Sequence, residues 1–226
     1  MKDNILIIGG FGDIGSSIVK IFSKNYKITA TSRNDLDLSS KESISIFLKL
    51  NKKKYKHVIF CAAENSPNYF KDMQFEEIYE SIQVNLLSIT EILHYFYSRN
   101  MICKNGSIIV ISSLYSYFGK LKRFPYSVSK HALTGLVKNL AIEMSSSKIR
   151  VNSVTPGFID TKLTRKNLSE EHILKIKSNI PCGNLGNPED IAKVVYFLSS
   201  DNGKYINGQD IIVDGGFICG GFLGLE

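Results

Sequence analysis

No apolar run in this sequence approaches the ~18 residues that a membrane span needs. The first one, residues 5–8, is four residues long and flows into glycines. It reads as a strand rather than a secretion signal, which makes the cytoplasm the expected location and excludes a membrane function. Cysteine is sparse as well: Cys61, Cys103, Cys182 and Cys219 are far apart and form no CxxC or CxxH pair. That argues against a zinc site, and in a cytosolic chain these thiols are expected to be reduced. Arginine is scarce too. The net charge is +7, but only five of the 28 basic residues are Arg. The rest are lysines, poor readers of bases, and the densest run, Lys52-Lys53-Lys54, falls between two expected elements, so nucleic acid is not the expected partner. His57, His94, His131 and His172 have no neighbouring ligand set, and no metal is assigned. Internal repeats, low-complexity tracts and Pro/Ser-rich linkers are all missing.

What is present is an alternation of short apolar runs with helix-period segments over 226 residues. Strands are expected at 4–8, 26–31, 57–62, 106–112, 149–154 and 209–213, with a brief extra one near 36–38. Helices are expected at 13–24, 40–50, 75–99, 126–145, 169–178 and 188–199. Repeated strand–helix units imply a parallel sheet covered on both faces. The expected fold is therefore α/β, a doubly wound Rossmann-type sheet in a single domain over 1–226. Such folds bind ligands beyond the carboxyl ends of their strands.

The stretch ILIIGGFGDIGSSIVKIF runs from the first strand into a helix through Gly9, Gly12 and Gly15. Glycine allows a tight turn and lets backbone N–H groups approach a pyrophosphate, with the helix N-terminus adding partial positive charge. The turn residues Gly9, Phe11, Gly12, Asp13, Ile14 and Gly15 are thus candidates for a dinucleotide cradle. A carboxylate beside a pyrophosphate would repel it, so Asp13 is expected to turn its side chain outward. The second strand ends in ATSRND, which places Ser32 and Arg33 where an NAD site usually puts a carboxylate. A cation there suits a 2′-phosphate, so NADP(H) is favoured over NAD(H).

Three tyrosines crowd SSLYSYFGKLKRFPYSVSK, residues 112–130. Only Tyr126 has a lysine, Lys130, four positions later on a helix, where side chains share a face. A nearby ammonium favours phenolate and would bring the phenol toward a working pKa. Ser113, just past the strand GSIIVIS, sits where its hydroxyl can reach the same crevice.

With these residues in order, the chain resembles the short-chain dehydrogenase/reductase family, in its compact branch, nearly end to end. YSVSK matches the family's Tyr-x-x-x-Lys motif, and Ser113 its substrate-orienting serine. Asn85, in ESIQVNLLSITEI, matches the asparagine that kinks the central helix and holds a relay water. IRVNSVTPGFIDT resembles the segment in which Pro156 and Gly157 shape the nicotinamide pocket, a backbone group near Ile159 meets the carboxamide, and Thr161 contacts the cofactor. Asp37 and Leu38 match the pair at the adenine, and the stretch 187–216 the C-terminal signature. The glycine turn departs from the pattern, with Asp13 where the middle glycine belongs; its spacing resembles the larger, sugar-nucleotide-modifying branch. Phe60-Cys61-Ala62-Ala63 stands in place of Asn-Asn-Ala-Gly, which leaves Ala62 and Ala63 as the implied cofactor contacts. The resemblance also implies that no full helix separates the second strand from the one near 36–38.

The expected activity is interconversion of a carbonyl and a secondary alcohol. Tyr126 supplies the proton, Ser113 holds the oxygen, Lys130 tunes and positions, and Asn85 keeps the relay. The closest general likeness is to 3-oxoacyl-carrier-protein reductases. The variable segment 158–186 is the expected substrate lid. Lys120, Lys122 and Arg123 are expected to rim a pocket for an anionic substrate, and Tyr115 and Tyr117 either line it or simply pack. Apolar stripes on the helices at 75–99 and 126–145 suggest a homodimer or homotetramer. Two alternatives remain: an epimerase or dehydratase of the larger branch, and a non-catalytic nucleotide-binding scaffold. The first usually carries a further C-terminal substrate domain; the second commonly loses the tyrosine or lysine.

Overall fold

In the computed structural model, residues 2–220 are described. Six strands form one sheet: β1 (Asn4–Ile8), β2 (Lys27–Thr31), β3 (Tyr55–Phe60), β4 (Ile102–Ile111), β5 (Arg150–Pro156) and β6 (Asp210–Val213). Their order is β2-β1-β3-β4-β5-β6 and every pairing is parallel. The helices are α1 (Asp13–Phe22), α2 (Lys41–Leu50), α3 (Phe75–Ile82), α4 (Ser88–Ser98), α5 (Phe124–Glu143), α6 (Lys162–Asn167), α7 (Glu170–Ser178) and α8 (Pro188–Ser199).

The period-two geometry of strands explains why the central runs are apolar throughout. Ile5, Ile7, Ile59, Ile109 and Val154 point to one face, against Ile18 and Phe22 of α1 and Ile191, Val195 and Leu198 of α8. Leu6, Ile8, Val58, Phe60, Ile108 and Val110 point to the other, against Ile44 and Leu48 of α2, Ile92, Leu93 and Phe96 of α4, and Leu133 and Val137 of α5. Each residue type in a run such as NILII therefore meets a helix, whichever side it faces.

Two expectations need correction. The brief strand at 36–38 does not form. Leu36 and Leu38 are buried, but the backbone there bonds locally: Leu36 N–H donates to the Ser32 carbonyl (3.0 Å), and Asp37 N–H to Ser43 Oγ (2.9 Å). Ser39 N–H and Oγ then both donate to Asp37 Oδ1, closing a turn where a ladder would be needed. The helix expected over 75–99 is also not continuous, since a π-helical turn over 83–87 separates α3 from α4. At the other end of the sheet β3 and β4 begin earlier than their apolar cores suggest. Tyr55 pairs with Ile102 and His57 with Ser107, and the bulge between them accommodates the polar residues Lys104 and Asn105.

Parallel strands send all carboxyl ends to one side, and the chain order reverses direction across β1 and β3. The turn leaving β1 lies at that point. Gly9 adopts φ +80°, and a Cβ on Gly15 would lie 2.2 Å from the Gly9 carbonyl oxygen, so α1 starts in direct contact with the turn. Replacing Gly15 with Ala is expected to lower unfolding stability by about 2–3 kcal/mol through backbone displacement. A denaturant midpoint shift with an unchanged slope would register it.

Candidate active site

A cleft of about 700 Å³ opens at the carboxyl ends of β1, β2 and β3. Of the residues expected from the sequence, Gly9, Phe11, Gly12, Asp13, Ile14, Gly15, Ser32, Arg33, Asp37, Leu38, Ala62, Ala63 and Thr161 line it. A dinucleotide fits this cradle. Gly12 caps α1 with no side-chain acceptor, so the first N–H groups of the helix have no partner of their own. A Cβ at Gly12 would meet nothing nearer than 3.8 Å, which leaves the backbone approachable.

Asp13 does not turn outward as expected. Its Oδ2 accepts the backbone N–H of Lys162 (2.7 Å), so the carboxylate reaches from the glycine turn to the first residue of α6. The carboxylate thus lies near the first turns of two helices, where partial positive charge accommodates it.

At the adenosine end Arg33 is 69% exposed and sits 3.6 Å from Asp37 Oδ2 and 3.6 Å from Glu80 Oε1. Ser32 is committed locally: its N–H and Oγ both donate to Asp35 Oδ2 (2.8 and 2.7 Å). Hydrogen bonds from Ser39, then the Arg33 cation, hold the Asp37 carboxyl below its ordinary range. Glu80, Leu36, Glu64, Val84, Lys162, Leu163 and Lys166 also line the cleft and escaped the sequence reading. Lys162 and Lys166 carry a readable signal, a lysine pair at helical i, i+4 spacing directly after Thr161. Glu80 carries none, because its partner Arg33 is distant in the chain.

Ser113, Tyr126 and Lys130 come together at the end of β4. Ser113 begins the 3₁₀ turn Leu114–Ser116, where Tyr115 N–H donates to its Oγ (3.3 Å). Pro125 lies in the first turn of α5, a position whose N–H needs no partner, and it sets Tyr126 on the face turned to β4. The Lys130 ammonium is buried, donates to the Ile111 carbonyl (2.9 Å), and lies 5.5 Å from the centroid of the Tyr126 ring. Burial lowers the Lys130 pKa to about 8, with the Cys61 thiol pulling it back up. Burial likewise pushes the Cys61 thiol up to about 12.

The structure reverses the expected effect on the phenol. Burial raises the Tyr126 pKa, a hydrogen bond from Ser113 lowers it, Tyr115 raises it and Arg123 lowers it. Lys130 is turned to a backbone carbonyl instead, so its charge is not what sets the phenol here.

Asn85 stands at the centre of the π turn, fully buried. Its Oδ1 accepts from Glu64 N–H (2.8 Å), and its Nδ2 donates to the Glu64 carbonyl (2.9 Å), Ser81 Oγ (3.2 Å) and Ser129 Oγ (3.1 Å). One amide thus clamps the segment after β3, α3 and the residue beside Lys130. The other tyrosines have different duties. Tyr115 packs edge-on against Tyr126 at 6.0 Å, while Tyr117 donates its hydroxyl to Asp210 Oδ2 (2.9 Å). Of the three basic residues expected at the rim, Lys120 is 5.7 Å from the Tyr115 ring centroid and Lys122 lies over the Tyr69 ring at 4.3 Å. Arg123 donates to Asn65 Oδ1 (2.7 Å).

Pro156 ends β5, and Gly157 packs so tightly that a Cβ would lie 2.6 Å from Asp214 Cα. Ile159 is buried and bridges to Gly186, and its carbonyl accepts from Thr164 Oγ1 (2.8 Å). Thr161 caps α6 by accepting from Thr164 N–H (3.1 Å). Beside Ser113, an apolar cluster of Leu114, Ile173, Ile180, Leu185 and Phe217 joins the 3₁₀ turn to the 158–186 segment, with Phe118 and Phe158 packed on it. Among the described residues no helix is long and apolar enough to cross a membrane, and no cluster of His, Cys, Asp and Glu could hold a metal.

This arrangement has close counterparts. A family model described as Enoyl-(Acyl carrier protein) reductase matches residues 18–218. A 3-oxoacyl-[acyl-carrier-protein] reductase FabG from Aquifex aeolicus is 33% identical over 94% of this chain and 86% of its own length. One of the same description from Buchnera aphidicola is 40% identical over 80% of this chain and 75% of its own. Among solved structures, a short chain dehydrogenase family protein from Francisella tularensis superposes with a TM-score of 0.89 at 25% identity, covering 97% of this chain and all (100%) of that one. A 4-hydroxyisoleucine dehydrogenase mutant complexed with NADH and succinate gives 0.87 at 30% identity, covering 96% and 99%. The chain belongs to the short-chain dehydrogenase/reductase family. Its class of activity is that of an NAD(P)-dependent oxidoreductase.

The buried ammonium has a measurable signature. At pH 7 both folded and unfolded chains carry the Lys130 proton, so the cost of burying the charge applies in full. As the pH rises from about 8 toward the ordinary 10.5, the folded chain releases the proton first and that cost fades, so this group's contribution makes stability climb across the window. Lys130→Met is therefore expected to raise unfolding free energy at pH 7 by about 1–3 kcal/mol, net of the lost bond to Ile111, with a smaller gain near pH 10. Denaturant titrations at the two pH values measure it.

Proposed function

We propose that this chain reduces a carbonyl to a secondary alcohol with NADP(H), and that Tyr126, Ser113, Lys130 and Asn85 carry the chemistry. The observation behind the reading is the meeting of the Ser113 hydroxyl, the Tyr126 phenol and the Lys130 ammonium at the end of β4, beside a cleft suited to a dinucleotide. The nicotinamide, when bound, supplies or accepts the hydride. Ser113 donates a hydrogen bond to the substrate oxygen and fixes its position. Tyr126, whose raised pKa keeps it a phenol at neutral pH, gives that oxygen its proton. The Lys130 ammonium then stabilises the phenolate left behind. Asn85 holds the Glu64 backbone and α5 in register, so the proton path stays aligned.

The substrate we propose is a 3-oxoacyl thioester. The names of the relatives support it, as does the apolar cluster beside Ser113, which offers a wall for an acyl chain. The segment 158–186 acts as the lid over it, within one catalytic domain. Lys120 is the rim cation best placed for an anionic carrier arm, because Lys122 and Arg123 turn to Tyr69 and Asn65. Exposed Leu87, Phe124 and Val128, at the π turn and on α5, support pairing of two copies through this region.

Two measurements test the proposal. Tyr126→Phe is expected to lower kcat for 3-oxoacyl thioester reduction by about 10²–10⁴ with cofactor affinity retained; turnover within a few-fold of the parent chain would end the mechanism. Arg33 supports NADP(H), since its exposed guanidinium suits a 2′-phosphate. Arg33→Gln is expected to cut the NADPH-over-NADH ratio of kcat/KM by about tenfold or more, mostly through NADPH; steady-state kinetics with both cofactors reads it.

A further inference from the structure

The carboxylate that breaks the family's glycine pattern makes, among the described residues, the one hydrogen bond that ties α6 to the glycine turn across the cleft. We propose that Asp13 is a positioning residue: it fastens α6 across the dinucleotide and so slows cofactor release. The inference rests on the oxidoreductase reading for its ligand, but the bond itself does not.

The argument starts with α6, which is six residues long. A helix that short has no stability of its own in water, so its placement depends on what holds it. Leu163 is mostly exposed and anchors little. Thr161 and Thr164 bond each other and Ile159, and Arg165 pairs with Asp160 at 2.6 Å. All of these are contacts within 159–165. Among the described residues, the bond from Lys162 N–H to Asp13 Oδ2 is the only hydrogen bond that ties α6 to another part of the fold, and it spans 149 positions. Asp13 and Lys162 both line the cleft, together with Gly12 on one side and Thr161, Leu163 and Lys166 on the other.

A bound pyrophosphate would bring negative charge close to this carboxylate. Two features make that tolerable: Asp13 belongs to the first turn of α1, and the Lys162 N–H that its Oδ2 accepts is at the first turn of α6. The two possible effects of Asp13 therefore have opposite signs. As a fastener it slows cofactor departure; as a mere like charge it would weaken binding.

Asp13→Asn keeps an acceptor oxygen and drops the charge, whereas Asp13→Ala drops both. Hydrogen exchange of the Lys162–Thr164 amides in cofactor-free protein reads the bond directly. Stopped-flow displacement of NADPH reads its consequence. For Asp13→Ala we expect exchange at these amides to rise about tenfold or more and NADPH dissociation to speed up by a similar factor. Asp13→Asn should stay within about threefold of the parent chain in both. Unchanged exchange in Asp13→Ala, or slower NADPH release in both variants, would overturn the proposal. If the parent chain bound no NADP(H), the cofactor reading would fall by itself, and the exchange measurement would still decide whether the fastener exists.

Discussion

A buried cation sits at the carboxyl end of β4. The Lys130 ammonium lies almost fully inside the fold with a single backbone carbonyl as its hydrogen-bond partner. Taking such a charge out of water costs several kcal/mol, and one carbonyl does not repay it. The shortfall shows as a lysine whose pKa has dropped to about 8. Nothing in the packing of the sheet requires this cation: Leu133 and Val137, on the same helix, fill the core well with apolar side chains. It is a destabilising group that the apolar packing around it holds in place.

The rigidity that holds it comes from an unexpected direction. Asn85 occupies a π turn, where the helix is widened by one residue, and its amide then reaches across to Glu64 and Ser129. A regular helix through 75–99 would aim residue 85 elsewhere. Glu80, on α3, also lines the cleft and comes close enough to share Arg33 with Asp37. One irregularity thus reaches both α5 and the segment after β3.

Much of this was legible beforehand, for physical reasons. The runs NILII and GSIIVIS could only be strands covered on both faces, and the spacing of Tyr126 and Lys130 could only share a helix face. The illegible parts depend on partners distant in the chain. Leu36 and Leu38 look like strand residues because they are apolar, but Ser43 Oγ accepts the Asp37 N–H and the Asp37 carboxylate accepts the Ser39 N–H, which takes these donors from any ladder. For the Tyr126 pKa, sequence spacing reports that Lys130 is near. It does not report that Ile111 holds the ammonium, nor how deeply the phenol is buried. Asp13 looked like an electrostatic fault because its acceptor role involves a backbone N–H 149 residues away.

The charges around the cleft are of both signs. Arg33, Lys162 and Lys166 line it, but so do Asp13, Asp37, Glu64 and Glu80. Side chains alone therefore present no positive field for a pyrophosphate. The attraction has to come from uncharged groups: the partnerless N–H groups at the start of α1 and the approachable backbone at Gly12. Such donors work at contact distance and fix orientation, which hydride transfer needs more than it needs long-range pull. A glycine turn that contributes geometry and no charge can carry a carboxylate at its middle glycine position, provided that the carboxylate is occupied elsewhere. The bond to Lys162 occupies it.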